Sequence, residues 1–256
     1  MTFSIDLGGK TALVTGGGQG VGRGIALALA SAGATVAVND FVAERADAVA
    51  DEVRAAGGTA HALPFDVSDF DGVMEATGRG GPFDILVNNA GNAGTEGFDF
   101  APFAETSPHD WDRYFKVNLY GVMHCARAVL PSMIEHGDGR IITIISDAGR
   151  SGEPRMAAYS AAKAAAAGFS RSLARDVARH GVYVNNVAIA TIDATGQRNE
   201  GIAHDDAAQK QLRNYIIRRF GRPDDVAAMV TFLASPLASW ITGQTYPVNG
   251  GFTVNL

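Results

Sequence analysis

Tyr159 and Lys163 stand four residues apart in Tyr159-Ser160-Ala161-Ala162-Lys163, inside an alanine-rich stretch that predicts a helix. On a helix, positions i and i+4 share one face, so the phenol and the ammonium address one spot. A neighbouring positive charge favours the phenolate and lowers a tyrosine pKa, which makes a usable general acid/base near neutral pH. Any exposed helix can carry Tyr-x-x-x-Lys, so the pair gains meaning only from what surrounds it.

Two further features coincide with it. The segment Thr15-Gly16-Gly17-Gly18-Gln19-Gly20-Val21-Gly22 follows the apolar run Thr11-Ala12-Leu13-Val14 and opens a helical pattern carried by Ile25, Leu27 and Leu29. Strand, glycine turn and helix together set a diphosphate on a helix N-terminus. The spacing is G-x-x-x-G-x-G rather than the commoner G-x-G-x-x-G, and an isolated match of this kind also fits a flexible loop. Ser146 lies thirteen residues before Tyr159, at the end of Ile141-Ile142-Thr143-Ile144-Ile145. A serine at a strand's carboxyl end points into the crevice where open α/β sheets bind ligands, although a helix cap or turn explains a lone serine equally.

The elements that must position these residues alternate along the chain. Strands are expected at 10–15, 35–39, 59–65, 83–88, 139–146, 181–188 and 244–249. Helices are expected near 20–32, 42–56, 68–77, 109–136, 155–179, 206–217 and 223–234. Alternation of this kind predicts a single Rossmann-like α/β domain over 1–256, a doubly wound parallel sheet with helices on both faces. Runs such as Ile85-Leu86-Val87 read as strands buried on both sides. Glycines at 72, 78, 80 and 81 leave room for two or three helical turns between Asp66 and Asp84. The long loops 92–108 and 190–206 leave strand carboxyl ends and are expected to border the crevice.

In combination, these features resemble the short-chain dehydrogenase/reductase family in its classical form. The resemblance runs from about Lys10 to the C-terminus, through Thr15-Gly16 to Gly22, Asp66-Val67, Asn88-Asn89-Ala90-Gly91, Asn118, Ser146, Tyr159 and Lys163, in family order. It implies a secondary alcohol/ketone oxidoreductase with Asn118, Ser146, Tyr159 and Lys163 as catalytic residues. Lys163 would hold the nicotinamide ribose and lower the Tyr159 pKa. Ser146 would bond the developing carbonyl oxygen, and Asn118 would hold a water that links Lys163 to solvent. Gly16, Gln19, Gly20, Val21, Gly22, Asp40, Asp66, Val67, Asn88, Ala90, Gly91 and Ile192 would contact the cofactor, together with Tyr159 and Lys163. Asp66 would address the adenine amino group beside Val67. The Asn88–Gly91 segment would mostly hold the sheet together.

Asp40 closes the second strand, twenty residues after Gly20. A carboxylate there bonds an adenosine ribose and repels a 2′-phosphate; it also suits a helix N-cap. Gln19 stands where phosphate-preferring members often place a basic residue. NAD is therefore favoured over NADP.

After the sixth strand the sequence departs from the family. The family's Asn-x-Val-x-Pro-Gly is here Asn185-Asn186-Val187-Ala188-Ile189-Ala190, and Ala194 takes a threonine position, with Thr195 one step out of register. Proline fixes φ and glycine permits close approach, so this turn and the nicotinamide placement beside Ile192 are expected to differ.

Substrate is less defined. Ser146-Asp147-Ala148-Gly149-Arg150 resembles members that oxidise alicyclic hydroxyacyl-CoA thioesters, and also 3-oxoacyl-carrier-protein reductases; steroid alcohols stay open. Arg150, Arg155, Arg218 and Arg219 could meet a CoA phosphate, although an arginine on an exposed loop or helix is more often just solvated. A catalytically weak nucleotide-binding sensor or scaffold is the alternative of another class, supported by the altered turn alone.

Composition excludes several classes. With 256 residues and a net charge of −6, nothing suggests nucleic acid or an anionic membrane surface. No apolar stretch of spanning length occurs, and the first residues lack a signal-peptide pattern, so a cytoplasmic location is expected. Cys125 is the sole cysteine, set in an apolar helical pattern and expected to be an inert buried side chain. The six histidines show no metal-ligand spacing, so no metal is expected. The alanine-rich face around Ala161 and Ala165 permits close helix packing, and the family implies a homotetramer or homodimer through it.

Overall fold

The computed structural model describes residues 4–92, 101–195, 197–201 and 205–254. Seven strands alternate with helices: β1 Thr11–Val14, α1 Gly20–Ser31, β2 Thr35–Val38, α2 Ala43–Ala55, β3 Thr59–Ala62, α3 Phe70–Gly80, β4 Ile85–Asn88, α4 Pro108–Phe115, α5 Val122–His136 and β5 Gly139–Ser146. The chain continues through α6 Ala148–Ser151, α7 Ala157–Val177, β6 Val182–Ile189, α8 Gln197–Gly201, α9 Asp206–Leu212, α10 Pro223–Ala234 and β7 Thr245–Val248. All strand pairs are parallel, in the order β3-β2-β1-β4-β5-β6-β7.

Each strand contributes to both faces, because successive side chains point opposite ways. Ala12 and Val14 of β1 pack with Ile25 and Leu29 of α1, Val49 of α2 and Val230 of α10. Leu13, between them, packs on the other face with Val73 of α3, Val129 of α5 and Val177 of α7. Both layers are apolar, which is why the strands read as unbroken apolar runs. The helices α1 and α10 approach closely at Gly24, where an added Cβ would stand 2.5 Å from Pro223 Cβ.

The expected helix at 109–136 is a continuous helical segment in three parts. Between α4 and α5 lies a π-helical stretch, Lys116–Gly121, that contains Asn118. Helix α3 runs to Gly80, three residues beyond its expected end, and α9 stops at Leu212. The helix expected from 155 begins at Ala157. Residues 93–100 of the first long loop, and 196 and 202–204 of the second, lie outside the described residues.

The strand order reverses between β1 and β4. Their connections leave in opposite directions there and open a crevice at the strands' carboxyl ends. No helix among the described residues is long and apolar enough to cross a membrane.

Candidate active site

The crevice at the β1–β4 switch point holds a cleft of about 760 Å³, lined by Gly16, Gln19, Gly20, Val21, Gly22, Asp40, Asp66, Val67, Ala90 and Gly91, among others. Its floor is the glycine turn. Gly16 and Gly20 take positive φ, +60° and +54°. A Cβ on Gly22 would stand 2.1 Å from the Gly16 carbonyl oxygen, so only glycine lets α1 start so near the turn. Gln19 is the N-cap of α1 but makes no side-chain cap bond, and the first turn carries no acidic residue. Its opening N–H groups and positive dipole end therefore suit an anion. Shape and polarity fit a dinucleotide diphosphate.

Side chains brace the turn from below. Thr15 Oγ1 accepts from the Asn89 and Ala90 N–H groups at 3.0 and 3.1 Å. Asn89 Nδ2 donates to the carbonyls of Thr15 and Gly16 at 2.9 and 3.0 Å. The Asn88–Gly91 segment thus ties β4 to β1. Asn39, which carries no motif signal in the sequence, accepts from Gly16 N–H and donates to the Leu63 and Phe65 carbonyls.

Asp40 is buried beside the cleft, and its Oδ1 accepts from Val42 N–H at 3.1 Å. It closes a turn ahead of α2 rather than capping the helix, whose N-cap is Val42. Phe41 and Arg45 line the same cleft. Arg45 gives no sign of this in the sequence, because it sits one helical turn into α2, away from the glycine turn. Asp66 is exposed at the far end of the cleft and accepts from Ser68 N–H; Val67 gives its carbonyl to His124 Nδ1.

The opposite end of the cleft meets the second cluster at Gly91. A Cβ there would lie 3.0 Å from Asn118 Oδ1 and 3.4 Å from Lys163 Nζ. Asn118 is fully buried; its Nδ2 donates to Asn92 Oδ1 and the Tyr114 carbonyl, while its Oδ1 has no hydrogen-bond partner. The π-helical stretch brings this side chain inward, and an unpaired buried acceptor suits a bound water. Tyr159 and Lys163 lie on one face of α7, with Nζ 5.9 Å from the centre of the Tyr159 ring. The ring packs edge-on against Tyr114 at 5.9 Å between centres. Ser146, at the end of β5, acts on the phenol as a hydrogen-bond partner.

Burial dominates the electrostatics of the Tyr159–Lys163 pair. Burial pushes the Tyr159 phenol up to about 12; Ser146 opposes this as a hydrogen-bond partner and Tyr114 adds to it. Lys163 Nζ donates to the Ile144 carbonyl at 3.0 Å. Burial also pulls Lys163 down to about 8. Both groups are enclosed, and desolvation dominates for each.

The altered turn after β6 is an ordered continuation of the sheet. Ile189 pairs with Ser146 on one side and Val248 on the other, and Asp147 N–H donates to its carbonyl. Ala190 does not take positive φ; Arg155 is the one non-glycine that does among the described residues. Ile192 forms a parallel bridge with Gly221 that uses the backbones of Thr191, Asp193 and Gly221, not its own.

Of the four arginines considered for a phosphate, three are engaged internally. Arg150 pairs with Asp147, and Arg219 with Asp225. Arg218 donates to the Leu212 carbonyl. Arg155 borders a smaller cleft with Phe103, Trp111, Tyr114 and Met156. Cys125 is fully buried, and burial pushes its thiol up to about 12. No group of three or more His, Cys, Asp or Glu able to hold a metal occurs among the described residues.

Comparison with known proteins adds independent findings. A family model described as enoyl-(acyl carrier protein) reductase matches residues 16–253. The 7α-hydroxysteroid dehydrogenase of Escherichia coli (strain K12) is 36% identical over 252 residues, covering 97% of this chain and 96% of that protein. A 3-oxoacyl-[acyl-carrier-protein] reductase of Staphylococcus aureus (strain N315) is 38% identical over 247 residues, covering 94% and 97%. A gluconate 5-dehydrogenase from Burkholderia cenocepacia J2315, solved with NADP and tartrate, superposes with a TM-score of 0.88 at 34% identity, covering 98% of each chain. A 7α-hydroxysteroid dehydrogenase solved with NADH and 7-oxo glycochenodeoxycholic acid gives 0.88 at 35%, again covering 98% of each.

Proposed function

The chain belongs to the short-chain dehydrogenase/reductase family, oxidoreductases that act on CH–OH groups, and from that premise we propose that it interconverts a secondary alcohol and a ketone with NAD as the favoured cofactor. The observation that carries this is the junction at Gly91, where the dinucleotide cleft ends against Lys163 Nζ and Asn118 Oδ1, beside Tyr159 and Ser146.

The bound nicotinamide supplies or accepts the hydride. Tyr159 gives a proton to the carbonyl oxygen in reduction and takes it from the alcohol in oxidation. Ser146 bonds the same oxygen. Lys163, displaced from the Ile144 carbonyl toward the ribose hydroxyls, brings its charge to the phenol. Asn118 Oδ1, buried and unpaired, would hold a water next to Lys163, and that water would pass the proton from Lys163 toward solvent. The glycine turn and the α1 N-terminus would bind the diphosphate, and the Ile192 backbone would be available to the carboxamide.

Asp40 supports NAD, since a buried carboxylate at the ribose end repels a 2′-phosphate. Arg45 in the same cleft favours the second reading, an NADP-tolerant 3-oxoacyl-carrier-protein reductase. For the first reading, the substrate class is an alicyclic or steroid alcohol or a hydroxyacyl-CoA. A cytoplasmic homotetramer or homodimer packed through α7 belongs to the same proposal.

The test follows nicotinamide absorbance with purified protein, NAD and NADP, and a panel of a 7α-hydroxysteroid, gluconate, sorbitol and 3-hydroxyacyl-CoA thioesters. Turnover of at least one, faster with NAD, is expected. Tight cofactor binding with no turnover across the panel and its ketones turns the reading toward a sensor.

A further inference from the structure

Asp147 directly follows Ser146 and is almost fully buried, at 1% exposure. A carboxylate so enclosed needs partners, because burying a charge costs several kcal/mol unless it is paired and hydrogen-bonded. Asp147 has them from two directions. Its Oδ1 accepts from Arg150 Nη1 at 2.8 Å, and its Oδ2 accepts from Asn249 Nδ2 at 2.6 Å. Both partners reach on to Thr253. Arg150 Nη1 donates to Thr253 Oγ1 at 3.1 Å, and Asn249 Nδ2 approaches the Thr253 carbonyl and Oγ1 at 3.0 and 3.1 Å. One carboxylate thus joins the end of β5, helix α6 and the segment after β7.

The backbone at the same residue sets the serine. Asp147 N–H extends the β5–β6 ladder by one bond to the Ile189 carbonyl, and the Asp147 carbonyl accepts from Arg150 and Ser151 N–H to start α6. That turn delivers Ala148 N–H to Ser146 Oγ at 3.1 Å. The hydroxyl accepts there and is left with its own proton and remaining lone pair for the space beside Tyr159.

Buried ion pairs are weak contributors to stability, and an apolar replacement is often neutral. An enclosed carboxylate paired to the half-buried Arg150, at the residue next to the candidate catalytic serine, therefore calls for another account. We propose that Asp147 is a positioning residue. By clamping Arg150 and the Asn249–Thr253 segment onto the β5 terminus, it holds the Ala148 N–H that aims the Ser146 hydroxyl, and so couples the chain's last described residues to the reaction. The proposal rests on the dehydrogenase reading for its kinetic consequence but not for its structural one.

The test compares Asp147→Asn, which keeps the shape and removes the charge, with Asn249→Ala, which removes one partner from outside the turn. Each is made alone and in a Ser146→Ala background. In the wild-type background kcat should fall about 10- to 100-fold, as misplacement of a reacting group does. Cofactor Kd, read by quenching of intrinsic fluorescence with NADH, should stay within about 2-fold. In the Ser146→Ala background the same changes should cost less than about 2-fold, because their effect passes through the serine. Equal losses in both backgrounds overturn the proposal, as does unchanged kcat in Asp147→Asn. Amide exchange gives a readout without turnover. The Ala148 and Ser151 amides should exchange faster in either variant, and unchanged protection overturns the clamp whether or not any alcohol on the panel reacts.

Discussion

Lys163 donates from Nζ to the Ile144 carbonyl at 3.0 Å, which seats a buried ammonium against β5 two residues before Ser146. Among the described residues that carbonyl is its one hydrogen-bonding partner, and burial pulls its pKa down to about 8. The ammonium is held below that pH and lost above it. Tyr159, raised to about 12, keeps its proton throughout. Reduction, which needs the phenol and the cation together, should therefore be level at neutral pH and decline above about pH 8. Oxidation needs the phenolate and should gain as pH rises. The check is kcat/KM for the cofactor, which reports the free enzyme, as a function of pH. Lys163→Arg carries a charge that does not titrate in this range, so its profile for reduction should lose the break near 8. A break that survives the change belongs to another group.

Tyr159→Phe keeps the edge-on packing against Tyr114 and removes the phenolic proton assigned to the substrate oxygen. Turnover should fall on the order of 10²–10⁴-fold, the usual worth of a general acid/base. Cofactor affinity should barely move, since the glycine turn and α1 are untouched. Steady-state kinetics with a binding titration separate the two, and near-normal turnover removes Tyr159 from the role assigned to it.

Asp40 and Arg45 face one cleft with opposite charges. Asp40→Ala should weaken NAD binding and raise the relative efficiency with NADP, because the repulsive carboxylate goes while the guanidinium stays. Arg45→Ala should do the reverse. The measurement is kcat/KM for each cofactor in all three proteins. A wild type that already prefers NADP reverses the NAD reading.

Much of this arrangement is legible in the amino-acid sequence alone. The strands stand out because parallel strands are buried on both faces: Ile85-Leu86-Val87 is wholly apolar, and Ile141–Ile145 is broken only by the buried Thr143. The glycine turn, Ser146, Tyr159 and Lys163 stand out because their chemistry depends on local spacing. The features that escape are set by tertiary approach. Arg45 reaches the cleft only because α2 packs where it does, and Asn39 braces the turn only because β2 lies beside β1. The π-helical stretch around Asn118 and the four-residue helix α6 have no propensity signal. The burial that raises Tyr159 escapes for the same reason. Spacing on a helix shows that a cation is near, but not that both groups are enclosed and that Lys163 turns to a backbone carbonyl.

Gly22 offers a test of the cleft that involves no ionisable group. Its added Cβ would meet the Gly16 carbonyl at 2.1 Å, and neither backbone can yield without moving the turn or α1. Gly22→Ala should lose cofactor binding by at least about 10-fold and destabilise the fold by about 1–3 kcal/mol through overpacking. Calorimetric titration with NADH and a denaturant melt read the two effects. Unchanged affinity places the diphosphate elsewhere.

The segment after β6 carries the last prediction. Ile189 and Ala190 stand where the family favours Pro-Gly, and the structure meets the change by running β6 straight through Ile189. Beyond that strand the chain hangs on Asp193, which is buried, bonds Gly221 through its N–H, and accepts from Asn199 N–H at 2.7 Å. Asn199 in turn accepts from Phe220 N–H at 3.0 Å. These bonds tie Asp193 and Asn199 to Phe220 and Gly221 ahead of α10, a small set of polar links beside the packed Ile192. Segments of that kind open at low free energy and are suited to gating. Protection from amide exchange across 190–195 and 197–201 should rise when NAD and substrate fill the cleft. Asp193→Ala cuts these links at their buried end, so these amides should exchange faster without ligand and gain more protection with it. KM should rise several-fold while the Tyr159-dependent step is little changed. Equal protection with and without ligands, in wild type and variant alike, leaves a reshaped turn that does not gate, because a lid must differ between its open and closed states.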